Sequence, residues 1–411
     1  MRERFLRALV DLFMPGGAVV AGTALVLVSG VLAPSYEALA RVVPWAVLAM
    51  GLFLGLRFGR SRVVWASLIL VLAERALFYS AWGTGADAGA ARTVFNAAAL
   101  LIPVNLALAA AITEREVLHP RNLRIALVVA GEAVLTAAAA LKPSWDLQRL
   151  LEATLVDAAW INALGLPQPA LLASLVCGVL LLGRYAAEPG PSRGGYVWAL
   201  AAAWGALALG SIGPGASLLL SAGVVALIIS EAESSHVMAF YDELTGLPGR
   251  RALESFLEGL TGTYAAAMVD VDRFKEFNDT YGHDVGDQVL RMVASELGRA
   301  GGGCRAFRYG GEEFALLYPG RELDEVMPRL EMLRGSIEEA GFYLRDEDRP
   351  EEKPEDPSSV PSGRERVRVT VSIGAARGDA GTDDPGEVLK ASDAALYRAK
   401  RGGRNRVSRA E

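Results

Sequence analysis

Cysteine is scarce in this chain, which has only Cys177, in an apolar run, and Cys304, in a polar region. Two isolated cysteines cannot build a disulfide framework or the paired spacing of a zinc site, so both are excluded. A basic excess is also missing, since the formal net charge is -6, which argues against a dedicated nucleic-acid binder. The first apolar stretch lacks a convincing small-residue cleavage site and is followed by further stretches, so it is not a cleavable signal peptide.

Charged residues are sparse up to about residue 230 and dense beyond it. A membrane-spanning helix needs about 20 apolar residues, with about 17 as the lower end. Eight stretches reach or approach this length, and the second, sixth, seventh and eighth are marginal. They cover residues 16–34, 42–57, 63–81, 94–112, 123–141, 170–186, 196–212 and 215–230. We therefore predict a multi-span α-helical membrane domain over residues 1–230, in contact with membrane lipid.

Basic residues in the connections indicate the orientation, because cytoplasmic loops of membrane proteins carry an excess of lysine and arginine. One alternating set of connections holds only Arg41, Arg92, Lys142 and Arg149. The other set is much richer and contains Arg2, Arg4, Arg7, Arg57, Arg60, Arg62, Arg115, Arg121, Arg124, Arg184 and Arg193. This alternation predicts eight spans with both termini, and the polar part of the chain, in the cytoplasm.

Three charged residues, Glu74, Arg75 and Glu132, fall within the apolar stretches. Charge is energetically expensive in hydrocarbon, so such residues face a partner or a cavity. Two interpretations remain open. The residues belong either to a ligand-sensing cluster or to an internal ion pair that fixes helix packing.

The longest outer connection, residues 142–169, has an amphipathic pattern. Leu147, Leu151 and Leu155 recur every four residues and share one helical face, with charged residues elsewhere. This pattern predicts a helix lying on the membrane surface, and it also fits a lid over a ligand pocket.

Beyond residue 230 the pattern changes to a short helical stalk, residues 231–241, followed by a domain over 242–411. The run YAAAMVDVD (264–272) is unbroken and apolar, as in a strand buried on both faces. Around it, helical spacings alternate with strand-like runs, including strand, turn and strand in CRAFRYGGEEFALLYPG. These elements predict an α/β sandwich built around one antiparallel hairpin. Residues 345–366, rich in proline, acids and serine, are predicted to form a mobile loop.

Four acidic residues fall at the predicted strand ends. Asp270 and Asp272 end the buried strand, while Glu312 and Glu313 follow Gly-Gly at the hairpin turn. Taken alone, that turn also fits a solvated hairpin. Neighbouring strands lie about 4.8 Å apart, so these carboxylates can converge, and a divalent cation would relieve their repulsion. Oxygen ligands favour magnesium or manganese.

Residues around these acids match the parts of a purine nucleoside triphosphate. Lys275 supplies a cation near the metal for a phosphate tail, and Lys400 and Arg404 add two further phosphate ligands. Asn278 and Asp287 have the groups that read a guanine edge, because a carboxylate accepts from N1 and N2 and an amide completes the pattern. Metal, phosphate ligands and a guanine reader together indicate GTP.

The same half of the chain resembles the GGDEF family, the diguanylate cyclases, in the variant with Glu at the third motif position. Five blocks carry the resemblance in the family's order, over about 165 residues. They are DELTGLPGRR (242–251), DVDRFKEFNDTYGHDVGD (270–287), RYGGEEF (308–314), VSIGAA (371–376) and ASDAALYRAKRGGRN (391–405). As an ordered set these blocks are highly specific, whereas GGEEF alone would not be.

The resemblance implies a palm-like, nucleotidyl cyclase-type fold and a diguanylate cyclase of the bacterial inner membrane. By position, Asp270 and Glu312, with the Val271 carbonyl, would hold two Mg²⁺ (or Mn²⁺) ions per active site. Glu313 is expected near the metals or the attacking hydroxyl. Each domain would bind one GTP, and a homodimer through domain and stalk would join two GTP into cyclic di-GMP. We expect Asp272 to brace its loop and His283 to make a local hydrogen bond.

The sequence departs from the family pattern at two places. The family often carries Arg-x-x-Asp, an inhibitory product site, five residues before the signature, but residues 301–304 read GGGC. Gly249 also stands where the family usually has Asn. Two other functions compete: a catalytically inactive module that senses GTP or cyclic di-GMP, and a transporter with a regulatory tail. Intact motif positions argue against the first, and the lack of a convincing repeat argues against the second.

Overall fold

The computed structural model describes residues 10–29, 36–82, 88–112, 119–141, 147–208, 214–343 and 366–410. The chain divides into two compact units, Met1–Ser235 and His236–Glu411, and the division falls within the predicted stalk. The predicted mobile loop, except for Arg366, lies outside the described residues. So do five of the basic residues used to infer orientation: Arg2, Arg4, Arg7, Arg115 and Lys142.

The N-terminal unit is built from helices, as its long apolar runs predict. In chain order they are α1 (Gly16–Ser29), α2 (Tyr36–Arg57), α3 (Ser61–Trp82), α4 (Ala88–Ala111), α5 (Pro120–Leu141), α6 (Leu147–Leu151), α7 (Ala159–Asn162), α8 (Gln168–Ala187), α9 (Pro191–Ala208) and α10 (Pro214–Phe240). Each predicted apolar stretch coincides with one of the longer helices. Because α10 extends to Phe240, the predicted stalk is helical up to that residue.

Within the described residues, four helical segments are long and apolar enough to cross a membrane, judged by length and composition. They are Gly89–Ala111, Asn122–Leu141, Gln168–Ala187 and Gly215–Phe240. The count of eight spans and the orientation stay predictions.

Glycines bring α2 and α3 into close contact. A Cβ added at Gly51 would lie 2.5 Å from Ser67 Oγ, and one added at Gly55 would lie 2.5 Å from Val64 Cγ2. Gly51 and Gly55 are four residues apart, so they share one face of α2. Small residues at this spacing are typical of helices that pack against each other in membranes.

The charged residues of the apolar helices separate into two groups. Glu74 on α3 is 2% exposed and accepts hydrogen bonds from Arg75 Nη2 at 2.6 Å and from Ser217 Oγ at 2.6 Å. For Glu74 and Arg75 the structure therefore matches the second predicted interpretation, an internal ion pair, and not a ligand-sensing cluster. Glu132 on α5 does not join it and instead accepts from Asn105 Nδ2 on α4 at 2.7 Å.

The prediction of a surface helix over the outer connection is wrong beyond its first turn. Helix α6 ends at Leu151, and Leu155 therefore does not continue its face. The backbone N–H groups of Leu155 and Val156 donate to Gln168 Oε1 at 2.6 and 2.8 Å, and Gln168 Nε2 donates to Val156 O at 2.7 Å. One glutamine side chain thus satisfies backbone groups that a longer helix would have paired internally.

The C-terminal unit alternates helices and strands. They are α11 (Arg250–Glu258), β1 (Thr263–Val271), α12 (Phe274–Tyr281), α13 (His283–Leu297), β2 (Arg305–Arg308), β3 (Glu313–Pro319), α14 (Leu323–Ala340), β4 (Phe342–Tyr343), β5 (Arg366–Val367), β6 (Val371–Asp379), α15 (Pro385–Arg401) and β7 (Val407–Arg409). A five-stranded sheet has the order β2-β3-β1-β6-β7. It is antiparallel except for the β6–β7 pair.

Helices cover both faces of this sheet, as predicted for the α/β sandwich. Val269 and Val271 of β1 pack with α13 and α14, while Met268 packs on the opposite face with α11 and α15. Alternation along the strand therefore places Asp270 on the α11/α15 face. Gly374 of β6 allows α15 to approach closely, because a Cβ there would lie 1.9 Å from Leu396 N.

Candidate active site

Asp270 is the next-to-last residue of β1 and is 4% exposed. In the sheet register it lies opposite Glu313 of β3 and Ser372 of β6. Lys400, in the last turn of α15, places Nζ 2.8 Å from Asp270 Oδ2. Burial raises the pKa of Asp270 even though Lys400 acts in the opposite direction. Additional positive charge would therefore stabilise this carboxylate.

The turn between β2 and β3 is closed by backbone hydrogen bonds. The N–H groups of Tyr309 and Gly310 donate to the carbonyl oxygen of Glu313 at 2.9 and 3.1 Å. The Arg308 guanidinium donates to the carbonyl oxygens of Gly310 and Gly311, at 3.2 and 2.7 Å. These hydrogen bonds fix the paired glycines in the turn that joins β2 to β3.

Glu312 is the last residue of this turn and is half-buried. Its carbonyl oxygen accepts from the Val271 N–H at 3.3 Å, which fixes it beside the end of β1. Burial raises the pKa of Glu312, and the charge of Asp270 raises it further against the opposing effect of Lys400. The structure therefore brings Asp270 and Glu312 together at adjacent strand ends, as the strand geometry predicts.

The chemistry of this pair fits a hard divalent cation. Both carboxylates have a raised pKa because they are buried and close to like charge, and a cation would remove both penalties. Within the described residues, no group of three or more His, Cys, Asp or Glu side chains could hold a metal ion. The protein would therefore supply two carboxylates and backbone carbonyls. Magnesium typically takes its remaining ligands from water and substrate phosphates.

Glu313 occupies a different environment from Glu312. A Cβ added at Gly310 would lie 2.7 Å from Glu313 Oε2, so this side chain folds back over the turn. Glu313 also lines a cavity of about 540 Å³, together with Arg250 of α11 and Lys390 of α15. Neither Asp270 nor Glu312 lines this cavity.

The two predicted guanine readers lie on helices that meet at Gly282. Asn278 is in the last turn of α12, and Asp287 is near the start of α13, where it is half-buried. Oδ1 of Asn278 is buried and has no hydrogen-bond partner in the described part of the chain. A Cβ at Gly286 would lie 1.8 Å from that oxygen, so only glycine permits this arrangement. This close approach brings Asn278 next to Asp287, the residue after Gly286, so the two predicted guanine readers lie together.

The three predicted phosphate ligands differ in their surroundings. Lys275 is exposed in the first turn of α12. Arg404 is exposed in the loop after α15, with a left-handed backbone (φ 64°), and its charge acts on Asp270. Lys400 is bound to Asp270 itself. The structure thus places Lys400 and Arg404 near the predicted metal ligand.

Asp272 braces the loop after β1, as expected. Its carboxylate accepts hydrogen bonds from Thr370 Oγ1 at 2.8 Å, Ser372 Oγ at 2.6 Å and Asn405 N at 3.0 Å. Its role is structural because its acceptors are already satisfied. His283 is exposed as the first residue of α13, and its expected local hydrogen bond stays a prediction.

The sequence did not predict the ion pair between Asp242 and Arg308, which lies beside the turn between β2 and β3. Asp242 Oδ1 accepts from Thr245 N at 2.8 Å, from Thr245 Oγ1 at 2.6 Å and from Arg308 Nη1 at 2.6 Å. Burial alone would raise the pKa of Asp242, but these hydrogen bonds and the charge of Arg308 lower it. The Asp-x-x-Thr spacing is a local turn signal. Its connection to Arg308, far away in sequence, is not visible without the fold.

Part of this chain is similar to known proteins. Residues 239–352 match the family model GGDEF, described as "Diguanylate cyclase, GGDEF domain". Response regulator PleD of Caulobacter vibrioides is 35% identical over 181 residues, which is 41% of this chain and 36% of that protein. Diguanylate cyclase DgcM of Escherichia coli is 37% identical over 177 residues, 41% of this chain and 38% of that protein.

A solved structure of the coiled coil and GGDEF domain of DgcB from Caulobacter crescentus, in complex with c-di-GMP, is 35% identical. The match covers 45% of this chain and 93% of that one, with a TM-score of 0.39. The chain spans little more than a third of the length of the two curated relatives named above. The family-model match and the two curated relatives together support a GGDEF domain of the diguanylate cyclase type over residues 239–352.

Proposed function

We propose that this protein is a membrane-tethered diguanylate cyclase that joins two GTP molecules into cyclic di-GMP and releases two pyrophosphates. The observation that carries the proposal is the pair of buried Asp270 and half-buried Glu312 beside the glycine turn, because the pKa of both carboxylates is raised and a cation would relieve this. The close approach of Asn278 to Gly286 supports the proposal independently, because it brings Asn278 next to Asp287, the other predicted guanine reader.

The metal ligands in this proposal are Asp270, Glu312 and the carbonyl oxygen of Val271, holding two Mg²⁺ or Mn²⁺ ions. When bound, these ions would make the ribose hydroxyl more acidic and neutralise charge at the phosphorus. Glu313 adds negative charge beside the turn and would act near the metals or near the attacking hydroxyl.

Nucleotide binding is assigned to the remaining predicted residues. Asp287 accepts from guanine N1 and N2, and Asn278 completes the reading of the base edge. Lys275, Lys400 and Arg404 bind the phosphates. For Lys400 this means sharing its ammonium between Asp270 and phosphate oxygens, which its three N–H donors permit.

A homodimer orients the two nucleotides in this proposal. Each domain holds one GTP, and the 3′-hydroxyl of each attacks the α-phosphate of the other while pyrophosphate leaves. Positioning of two bound reactants is a large source of rate enhancement. The helical end of α10, which includes residues 231–240, would join the partners outside the domain.

The N-terminal unit is proposed to lie in the bacterial inner membrane as sensor and anchor. The four helices that are long and apolar enough to cross a membrane support membrane association. Eight spans and cytoplasmic termini follow from the basic residues of the connections.

The proposal is tested with the full chain in lipid nanodiscs, incubated with GTP and Mg²⁺. Product is identified by mass spectrometry after anion-exchange chromatography. We expect cyclic di-GMP from the wild type and none above background from Glu312→Gln. The matched control is Glu322→Gln, which removes a half-exposed acid bonded to Arg377 and should leave turnover unchanged. Near-normal turnover in Glu312→Gln would refute the metal assignment.

A further inference from the structure

A second cavity lies in the N-terminal unit, among α3, α4 and α5. Its volume is about 620 Å³, within the range of about 300–1,000 Å³ typical of small-molecule sites. The walls are mainly alanine, leucine, isoleucine and valine, and the polar exceptions are Asn105, Glu132 and Thr136. This cavity has no part in the cyclase reaction proposed above.

Asn105 and Glu132 form an incomplete polar pair in this cavity. Asn105 is 7% exposed, and its Nδ2 donates to Glu132 Oε2 at 2.7 Å. Its Oδ1 is buried and, among the described residues, has no hydrogen-bond partner. Nor does any basic side chain of the described ranges lie within ion-pair distance of Glu132. The pair thus presents acceptor oxygens and negative charge without matching donors or a cation.

The same helix carries a complete version of this arrangement. Asn96 of α4 donates Nδ2 to Glu152 Oε1 at 2.9 Å, and Arg92 places Nε 2.8 Å from the same oxygen. There the protein provides asparagine, glutamate and a cation. At Asn105 and Glu132 it provides the first two, and a cavity lies where a cation could be bound.

We propose that this cavity binds an apolar molecule whose single polar group is a protonated amine. The ammonium would donate to the Glu132 carboxylate, as Arg92 donates to Glu152, and Oδ1 of Asn105 would be its second acceptor. An unpaired carboxylate among apolar helices is energetically expensive, so the ion pair favours binding. The apolar body would fill the space between the alanine-rich walls.

The position of α5 suggests what such a ligand does to the protein. Only 6% of its Asn122–Leu141 segment is buried inside the unit, compared with 61% of Gly89–Ala111 in α4. A ligand bound to residues of both helices would add contacts to the less buried one. The site therefore couples an amine-bearing ligand to the packing of α5.

The test uses the full chain in phosphatidylcholine nanodiscs and three tritiated probes: decylamine, decanol and decanoate. Binding to empty nanodiscs is subtracted. We expect one saturable decylamine site per chain, with affinity about tenfold or more above that for decanol and decanoate. Equal binding of the three probes would overturn the proposal and indicate that the cavity holds lipid chains.

Variants locate the site. Glu132→Gln keeps the shape but removes the charge, so it should weaken decylamine binding by about tenfold or more and leave decanol unchanged. The control Glu152→Gln alters the complete version of the pair and should leave decylamine binding unchanged. Ala137→Phe fills the cavity and should abolish saturable binding of decylamine without touching the charged pair. Unaltered decylamine affinity in either Glu132→Gln or Ala137→Phe would refute the assignment.

Discussion

Glu74 in the N-terminal unit and the pair of Asp270 and Glu312 in the C-terminal unit are compensated to different degrees. In the N-terminal unit, Glu74 has its own arginine at 2.6 Å, and its partners satisfy it locally. In the C-terminal unit, Asp270 and Glu312 lie together under the influence of one lysine, Lys400, and the pKa of both is raised. A compensated acid stabilises packing, whereas an undercompensated pair forms a place where a cation or ligand binds.

The same contrast occurs within one stretch of three residues. Asp272 accepts three hydrogen bonds and braces a loop, while Asp270, two residues earlier, is buried with incomplete compensation. Both residues are aspartates, and both lie near the end of β1. The difference lies in which groups of β6 and α15 reach each carboxylate.

The largest expected effect is a loss of activity without a loss of stability when Asp270 is changed. Asp270→Asn removes a charged metal ligand, so cyclic di-GMP formation should fall by about a hundredfold or more. Because the burial penalty on the charge disappears as well, the Tm should stay the same or rise. Initial rates and thermal unfolding of the same preparation check both. A large fall in Tm would make Asp270 a structural residue like Asp272.

The opposite outcome is expected at Asp272. Asp272→Ala leaves Thr370, Ser372 and Asn405 without their common acceptor, which should lower the unfolding free energy by about 2–4 kcal/mol. Urea unfolding followed by fluorescence measures this change. Asp324→Ala, at an exposed acid paired with Arg409, is the control and should change stability little. An unchanged midpoint for Asp272→Ala would contradict the bracing role.

Base selection is the next effect in size. Asp287→Asn replaces a double acceptor by a group with only one acceptor, so kcat/KM for GTP should fall by an equivalent of about 1–3 kcal/mol. Steady-state kinetics measure it, with Asp284→Asn as the control at an exposed acid of the same helix. Wild-type GTP kinetics in Asp287→Asn would show that this residue does not read guanine.

The stability contributed by the ion pair between Asp242 and Arg308 should depend on pH. Because the folded-state pKa of Asp242 is lowered, its stabilisation is present above the unfolded pKa of about 3.9 and is lost as pH falls through the folded pKa. Asp242→Asn should therefore be less stable than wild type at neutral pH, and the gap should close in acid. Urea unfolding at a series of pH values measures the gap. If the difference in unfolding free energy between wild type and Asp242→Asn did not change with pH, the ionised pair could not be its cause.

The smallest expected effect concerns product inhibition. Gly301, Gly302 and Gly303 all have left-handed backbone, and Cys304 is half-buried with a pKa raised by burial to about 11. These residues cannot grip phosphate and guanine as an Arg-x-x-Asp motif would. Rising cyclic di-GMP should give only weak competition with GTP in initial-rate measurements. Strong non-competitive inhibition at low micromolar product would identify a product site built from other residues.

The sequence by itself determined the helical N-terminal half, the α/β sandwich and the meeting of Asp270 with Glu312. Each depends on the local periodicity of apolar residues or on where strands end, and these two features can be read from residues that are close in sequence. The apolar runs predicted the long helices that begin before residue 215 for the same reason. The outer connection is the exception, because Gln168, far from Leu151, took over backbone groups that a longer helix would have used.

Only the tertiary structure decided how each charge is compensated. Lys400 binds Asp270 across 130 residues, Arg308 binds Asp242 across 66, and Asn105 reaches Glu132 from another helix. Electrostatic energy depends on distance and burial, and neither can be read from a sequence pattern. For that reason the groups that pair with Asp270 and with Asp272 could not be read from the sequence, and the cavity beside Glu132 became visible only in the packed helices.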